Sequence, residues 1–301
     1  MGTVSANALL QHAMANQYAV GYFESWDLES TAAVIHAAEK MKSPVFIGFC
    51  GEYLNSPQRA YQENLHLYGK IVREMAKAAS VPVATILNES IDINYAYKGV
   101  AAGFDMVMFV DEQMSVPELI VIQKKLVAFA HACGVAVEAE LGALPTASKS
   151  GTQSQGAHTD IEIVEQFVRE AGVDALAVAV GNIHLLEGQK ANIDFDLLEK
   201  IHKKVTIPLV LHGGTGIDKP DFKEAASMGT AKVNVGAGLK RICINTFKEY
   251  LAVNDTDIMN PNHIFGTGGK FDLNRRSHDA IAEAVADFIR AFGSENKSEA
   301  I

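Results

Sequence analysis

Short apolar runs alternate with longer amphipathic stretches along most of the chain. The runs are 18–23 (YAVGYF), 44–49 (PVFIGF), 81–87 (VPVATIL), 104–110 (FDMVMFV), 135–141 (VAVEAEL), 174–180 (DALAVAV), 207–212 (IPLVLH) and 231–235 (AKVNV). Each is near-continuously apolar, as a strand covered on both faces must be, and helical periodicity fills intervals such as 28–42, 160–171 and 195–204. This alternation predicts an α/β fold, a parallel sheet closed into a (β/α)8 TIM barrel, as one domain over 1–301. Glycine recurs between a helix and the next strand in 101–105, 132–136, 170–174 and 227–231, where a left-handed helix end favours it. An open doubly wound sheet is the rival, but no GxGxxG follows the first strand.

Two stretches break the rhythm. Residues 142–159, rich in Gly, Ser, Thr and Gln, are expected to form a mobile loop above the barrel mouth, either a gate or an ordinary surface insertion. Residues 254–274 are irregular. A last amphipathic helix is expected over 277–292, so that 277–301 is a helix followed by a polar, frayed tail.

Composition narrows the function. The net charge of −10 leaves no broad basic face for nucleic acid, although a local anion site is compatible with it. Cys50, Cys133 and Cys243 are too few for a disulfide framework and suit a reducing compartment. No signal-peptide pattern and no uninterrupted apolar run of transmembrane length stand out. The expectation is a cytoplasmic protein with no membrane partner.

Polar side chains at strand C-termini converge on a barrel mouth. Here they are Glu24, Asn88, Glu89, Asp111, Glu140, His184, His212 and Asn234. Glu89, His184 and His212 come from different strands, and two imidazoles with a carboxylate suit zinc, iron, cobalt or manganese. The alternative is that each histidine caps or bonds a loop. His12, His36, His66, His131 and His202 lie in helical stretches, as surface or packing residues. His158 can reach the mouth if its loop closes, and His278 beside Arg275 and Arg276 suits a subunit contact or a remote anion contact. In the run from His212 to Gly216, Gly213 and Gly214 allow close backbone approach to an anion, and Thr215 adds a hydroxyl. The run 234–238, with Gly236, forms a second wall, and phosphate sites in barrels favour the loops after strands seven and eight. Two tight turns without a ligand are the other reading.

Several segments carry a resemblance: 18–23, 130–142 (AHACGVAVEAELG), 173–184 (VDALAVAVGNIH), 193–201 (IDFDLLEKI), 208–217 (PLVLHGGTGI), 231–235 and 292–297 (FGSENK). Over nearly its full length the chain resembles the class II, metal-dependent fructose/tagatose-bisphosphate aldolase family. The resemblance implies a (β/α)8 barrel, a homodimer or homotetramer, and a divalent metal that polarises a ketose carbonyl or stabilises an enediolate. His184 and His212 match two of the family's metal-binding histidines, and Glu140 matches the acidic residue near the metal. The glycine turn matches the phosphate-binding backbone, with Thr215 in place of serine. Asn234 matches an asparagine that contacts substrate.

The chain also departs from the family. Ile86-Leu87-Asn88-Glu89 stands where His-Leu-Asp-His is usual. Asn88 thus occupies the place of the proton-transferring aspartate, and an amide cannot take a proton as a carboxylate does. Glu89 occupies the place of a metal histidine and can bind metal through oxygen or act as a base. Leu185, Leu186, Glu187 and Gly188 replace a glycine followed by a lysine. Gly236-Ala237 replaces Asp-Thr, Glu24 replaces an asparagine, and Val110-Asp111-Glu112 displaces Asp-Gly-Ser. Cationic and hydroxyl contacts are lost and acids are added.

The resulting expectation is a divalent-metal-dependent aldolase or lyase acting on a small ketose or ketose phosphate other than ordinary fructose 1,6-bisphosphate. Glu89, His184 and His212 would hold the metal, zinc first, with manganese, cobalt or iron as alternatives. Glu140 or Asp111 would move the proton, and Asn88 would orient a hydroxyl. Gly213, Gly214, Thr215, Asn234, Gly236 and Glu24 would bind substrate. A sugar isomerase or epimerase using the same enediolate, and a non-catalytic partner subunit, are the alternatives.

Overall fold

The eight apolar runs pair in chain order into a closed parallel ring. Its strands are β1 (Val20–Glu24), β2 (Val45–Cys50), β3 (Val83–Ser90), β4 (Met106–Phe109), β5 (Ala136–Leu141), β6 (Ala175–Val178), β7 (Leu209–Leu211) and β8 (Thr230–Val235). Helices occupy the intervals, so the fold is the (β/α)8 barrel that the pattern predicts. The computed structural model describes residues 4–147, 157–185 and 190–300, with backbone alone at 146, 147, 184, 185 and 300.

Strand alternation sorts the side chains into two layers. Tyr22, Phe46, Ile86, Met106, Met108 and Val210 fill the barrel interior. Phe23, Ile47, Leu87, Val107, Val137 and Leu211 point outward into the helix ring. Truncating a buried aromatic such as Phe46 to alanine costs about 3–5 kcal/mol, so the interior is a packed core. The amino-terminal helix Ala6–Ala15 begins at a Ser5 cap and inserts Leu9, Leu10 and Ala13 into the interior cluster. It closes the bottom of the barrel and leaves the strand C-termini as the mouth.

One irregularity shapes that mouth. The register of β3 against β4 shifts between Leu87 and Ser90, and Glu89 sits at φ +47°. A bulge of this kind re-aims side chains. Strict alternation would send Asn88 and Glu89 to opposite faces, yet both line the mouth.

The last helix is Leu273–Phe292, a turn longer than the apolar pattern indicates, because the Asp272 carboxylate accepts from the Asn274 and Arg275 amides. The tail, expected to be frayed, is docked in its described part through Ser298. After Gly293, at φ +73°, the chain turns back, Ser294 is buried, and the Asn296 and Ser298 amides donate to the Met41 and Lys42 carbonyls at 3.0 Å each. The core of the 142–159 loop, residues 148–156, lies outside the described residues. Its flanks are pinned: Ala143 bridges Ala157, and Thr159 accepts from the Ala179 amide at 2.8 Å. Among the described residues no helix is long and apolar enough to cross a membrane.

Candidate active site at the barrel mouth

A cavity of about 860 Å³ opens at the strand C-termini. Of the expected site residues, Glu24, Asn88, Glu89, Asp111, Glu140, Gly213, Thr215, Asn234 and Gly236 line it. Gly214 is buried against Val233, and His212 is fully buried at the end of β7. The His184 backbone pairs with Thr146, and its side chain lies outside the described residues.

His212 is the centre of the polar network. Its Nε2 is 3.0 Å from Glu138 Oε1, and its Nδ1 is 3.0 Å from Glu89 Oε1 and 3.4 Å from Glu140 Oε2. Behind it, Lys232 Nζ donates at 2.7 Å to Glu138 Oε2 and at 2.7 Å to Asn234 Oδ1. Glu138 and Lys232 were not among the expected site residues. The available signal is parity: 138 shares the inward face of β5 with 140, and 232 shares that of β8 with 234. A lysine in an apolar strand reads as a solvated exception, yet Lys232 has no exposure at all.

Burial and charge set the proton affinities. Burial opposes the charge of His212, but the bonds to Glu138 and Glu89 and the charge of Glu140 outweigh it, raising the imidazole to about 10. Burial raises the Glu140 carboxyl to about 7, with His212 opposing and Glu89, Glu112 and Glu138 adding to the rise. Burial also opposes the charge of Glu138, but Lys232 and His212 outweigh it and hold that carboxyl below its ordinary value. Glu140 therefore exchanges a proton near neutrality, whereas Glu138 stays ionised there.

The rim differs in character. Glu24, at the end of β1, binds Lys240 from the first turns of helix Ala237–Val253. A Cβ on Gly236 would lie 2.1 Å from Glu24 Oε2, so this glycine makes room for the carboxylate. Two departures from the family pattern, at 24 and 236, thus meet in space. Gly213, at φ +69°, turns the chain into the 214–216 helical turn beside that helix. Asp111 accepts from the Gln113 amide at 2.8 Å, which ties it to its own turn on the rim, whereas Glu89 and Glu140 meet at His212.

Among the described residues no group of three or more His, Cys, Asp and Glu side chains forms a ready metal cage. The donors present still suit one in part. Metal–ligand bonds of about 2.0–2.2 Å place neighbouring donors roughly 3.0–3.5 Å apart, and Nδ1 of His212 stands 3.0 and 3.4 Å from its two carboxylate oxygens.

Four other histidines lie elsewhere. His12 bonds Tyr18 and His131 bonds Asp174. His278 meets His36 at 3.0 Å on the outside of the barrel, while Arg275 pairs with Asp279 one helical turn on.

A family model described as fructose-bisphosphate aldolase class-II matches residues 4–297. A fructose-bisphosphate aldolase of Geobacillus stearothermophilus is 33% identical over 298 residues, covering 99% of each chain. The probable fructose-bisphosphate aldolase of Bacillus subtilis (strain 168) is 32% identical over 301 residues, covering 99% of this chain and 100% of that one. Among solved structures, the YdjI aldolase from Escherichia coli K12 matches with a TM-score of 0.80 at 28% identity, covering 98% of this chain and 99% of that one. A putative fructose-1,6-bisphosphate aldolase from Coccidioides immitis matches with a TM-score of 0.83 at 26% identity, covering 99% of each. With the barrel, the mouth and the matched length in agreement, the chain belongs to the class-II fructose-bisphosphate aldolase family, as a divergent member.

Proposed function

We propose that this mouth cleaves a carbon–carbon bond in a small ketose or ketose monophosphate, with a divalent metal as cofactor. The observation that carries the reading is His212 itself, with Nε2 turned to Glu138 and Nδ1 turned to Glu89 and Glu140. A metal-binding imidazole needs one nitrogen tied to an acceptor so that the other can offer its lone pair. Glu138 supplies that tie. His212, Glu89 and His184 would hold the metal, zinc first, with manganese, cobalt or iron as alternatives. Bound there, it would supply Lewis acidity at a carbonyl oxygen.

The chain's own groups supply the rest. Glu140, raised to about 7, holds a proton at its carboxyl and exchanges it near neutrality. It takes over the role that Asn88 cannot perform, and Asp111 is the second candidate. Asn88 orients a hydroxyl. Gly213, Gly214, Thr215 and Gly236, beside the start of a seventeen-residue helix, offer backbone N–H groups to a single anionic group. Glu24, Glu52, Glu89, Asp111, Glu112 and Glu140 face the cavity against Lys240 and Arg241, and Glu24 already engages Lys240. This balance disfavours a second phosphate. A homo-oligomer is supported by exposed apolar side chains on and after the same helix, including Leu251, Val253, Ile258 and Phe265.

The test loads the purified protein with each metal and resolves the products formed from ketoses and ketose monophosphates of graded length. Shorter fragments support cleavage, whereas isomers of equal length make the protein an isomerase or epimerase. Metal retention should fall in both Glu89→Gln and His212→Ala. A wild type that neither carries nor takes up metal rejects the reading and favours a non-catalytic partner subunit.

A further inference from the structure

Three buried polar atoms on the cavity wall have no hydrogen-bond partner among the described residues. They are the Tyr22 hydroxyl, Asn88 Oδ1 and Asn234 Nδ2, on side chains exposed by 2%, 2% and 7%. A buried polar atom left without a partner is costly, and a ligand that pairs it recovers that cost.

The three are held in place rather than loosely packed. Lysine carries only donors, so the 2.7 Å bond from Lys232 requires Asn234 to present Oδ1 to it, which leaves Nδ2 as the unpartnered donor. Tyr22 is the direct neighbour of Asn234 in the β1–β8 register. Its ring lies 5.3 Å from Lys232 Nζ, and its hydroxyl has no hydrogen-bond partner among the described residues. Asn88 enters from the other side of β1, on β3 beyond β2. One donor, one acceptor and one hydroxyl able to play either part thus belong to side chains that line the same cavity.

We propose that Tyr22 is a specificity-determining residue, and that with Asn88 and Asn234 it reads a ketone flanked by two carbons bearing free hydroxyls. Resting on the ketose reading above, the proposal narrows the substrate to one unphosphorylated on both sides of its carbonyl. Asn234 donates to one oxygen of the ketone–hydroxyl unit, and Asn88 Oδ1 accepts a hydrogen bond from its hydroxyl. Tyr22 takes the hydroxyl on the other flanking carbon. A phosphate ester on that carbon would bring an anion toward Glu24 and Glu89, whose charges already act on Tyr22. An apolar ligand would leave all three atoms unsatisfied.

The test uses dihydroxyacetone and hydroxyacetone, which differ by that one hydroxyl, with binding to the protein as purified followed by ligand-observed NMR titration. Wild type should prefer dihydroxyacetone by about five- to tenfold, the worth of one hydrogen bond. Tyr22→Phe should abolish the preference and leave hydroxyacetone affinity unchanged, while Asn234→Ala should weaken both ligands alike. A preference that survives Tyr22→Phe overturns the proposal, as does an equal loss for both ketones in that variant or a wild type that binds neither. Failure to shorten any ketose would instead sink the lyase reading and leave the binding preference standing.

Discussion

Replacing Lys232 by methionine keeps most of the side-chain volume and removes the ammonium that joins Glu138 to Asn234. Both contacts are 2.7 Å, and neither Lys232 nor Glu138 has any exposure. Without Lys232, the Glu138 carboxylate keeps only His212, and Asn234 Oδ1 loses its donor. Removing one partner of a buried ion pair costs about 3–5 kcal/mol, because the other charge stays in a medium that solvates it poorly. For a chain of 301 residues, about 2.1 cal/mol/K per residue gives an unfolding entropy near 0.6 kcal/mol/K. Lys232→Met should therefore lower Tm by roughly 5–8 °C. Adding Glu138→Gln removes the stranded charge while keeping an acceptor for His212. The double variant should regain at least about 2 kcal/mol over Lys232→Met. Circular dichroism melts and urea unfolding of wild type, both single variants and the double variant complete the cycle. A loss below about 1 kcal/mol for Lys232→Met, or strict additivity in the double variant, would refute the coupled network.

Other outcomes follow from the same geometry. Gly236→Ala places a methyl group 2.1 Å from Glu24 Oε2, should cost about 1–3 kcal/mol in a melt, and should be rescued by Glu24→Ala. His212 and Glu140 both bind their proton more tightly folded than unfolded, so their stabilisation is full at low pH and is lost as pH rises. The Glu140 part goes between 4.5 and about 7 and the His212 part between 6.5 and about 10. Unfolding free energy of the metal-free protein, measured across the upper window, should fall in wild type and stay flat in His212→Gln. Ending the chain at Gly293 removes the amide bonds to Met41 and Lys42 and the buried Ser294, which should cost about 1–3 kcal/mol of stability, read as a lower urea midpoint. An unchanged midpoint would show that the docked tail contributes nothing.

Much of the architecture was legible in the chain itself. Strand β5 reads as apolar except at Glu138 and Glu140, and β8 except at Thr230, Lys232 and Asn234. Period-two alternation is a property of the extended backbone, so each set must share a face whatever surrounds it. Once eight runs close into a ring, that face is the interior. Residues at strand ends, such as Glu24 and His212, were visible as mouth candidates for the same reason. Helix boundaries were less so: Asp272 caps the last helix through its own side chain, a local bond that apolar periodicity does not register.

Tertiary structure decided what those side chains do. Nothing local distinguishes Lys232 as the group that sets the Asn234 amide, because Glu138 reaches it from a strand 94 residues away. Glu89 faces the mouth because a register shift and a left-handed backbone override alternation. Gly236 and Glu24 are unrelated departures along the chain and become one feature where β8 lies beside β1. Sequence by itself determined the strands, their facing and the family, since these depend on local periodicity and on motifs. The partners of each charge, and hence which carboxyl keeps its proton, depend on burial and distances of a few ångströms between strands far apart in the chain, and these exist only once the barrel has closed.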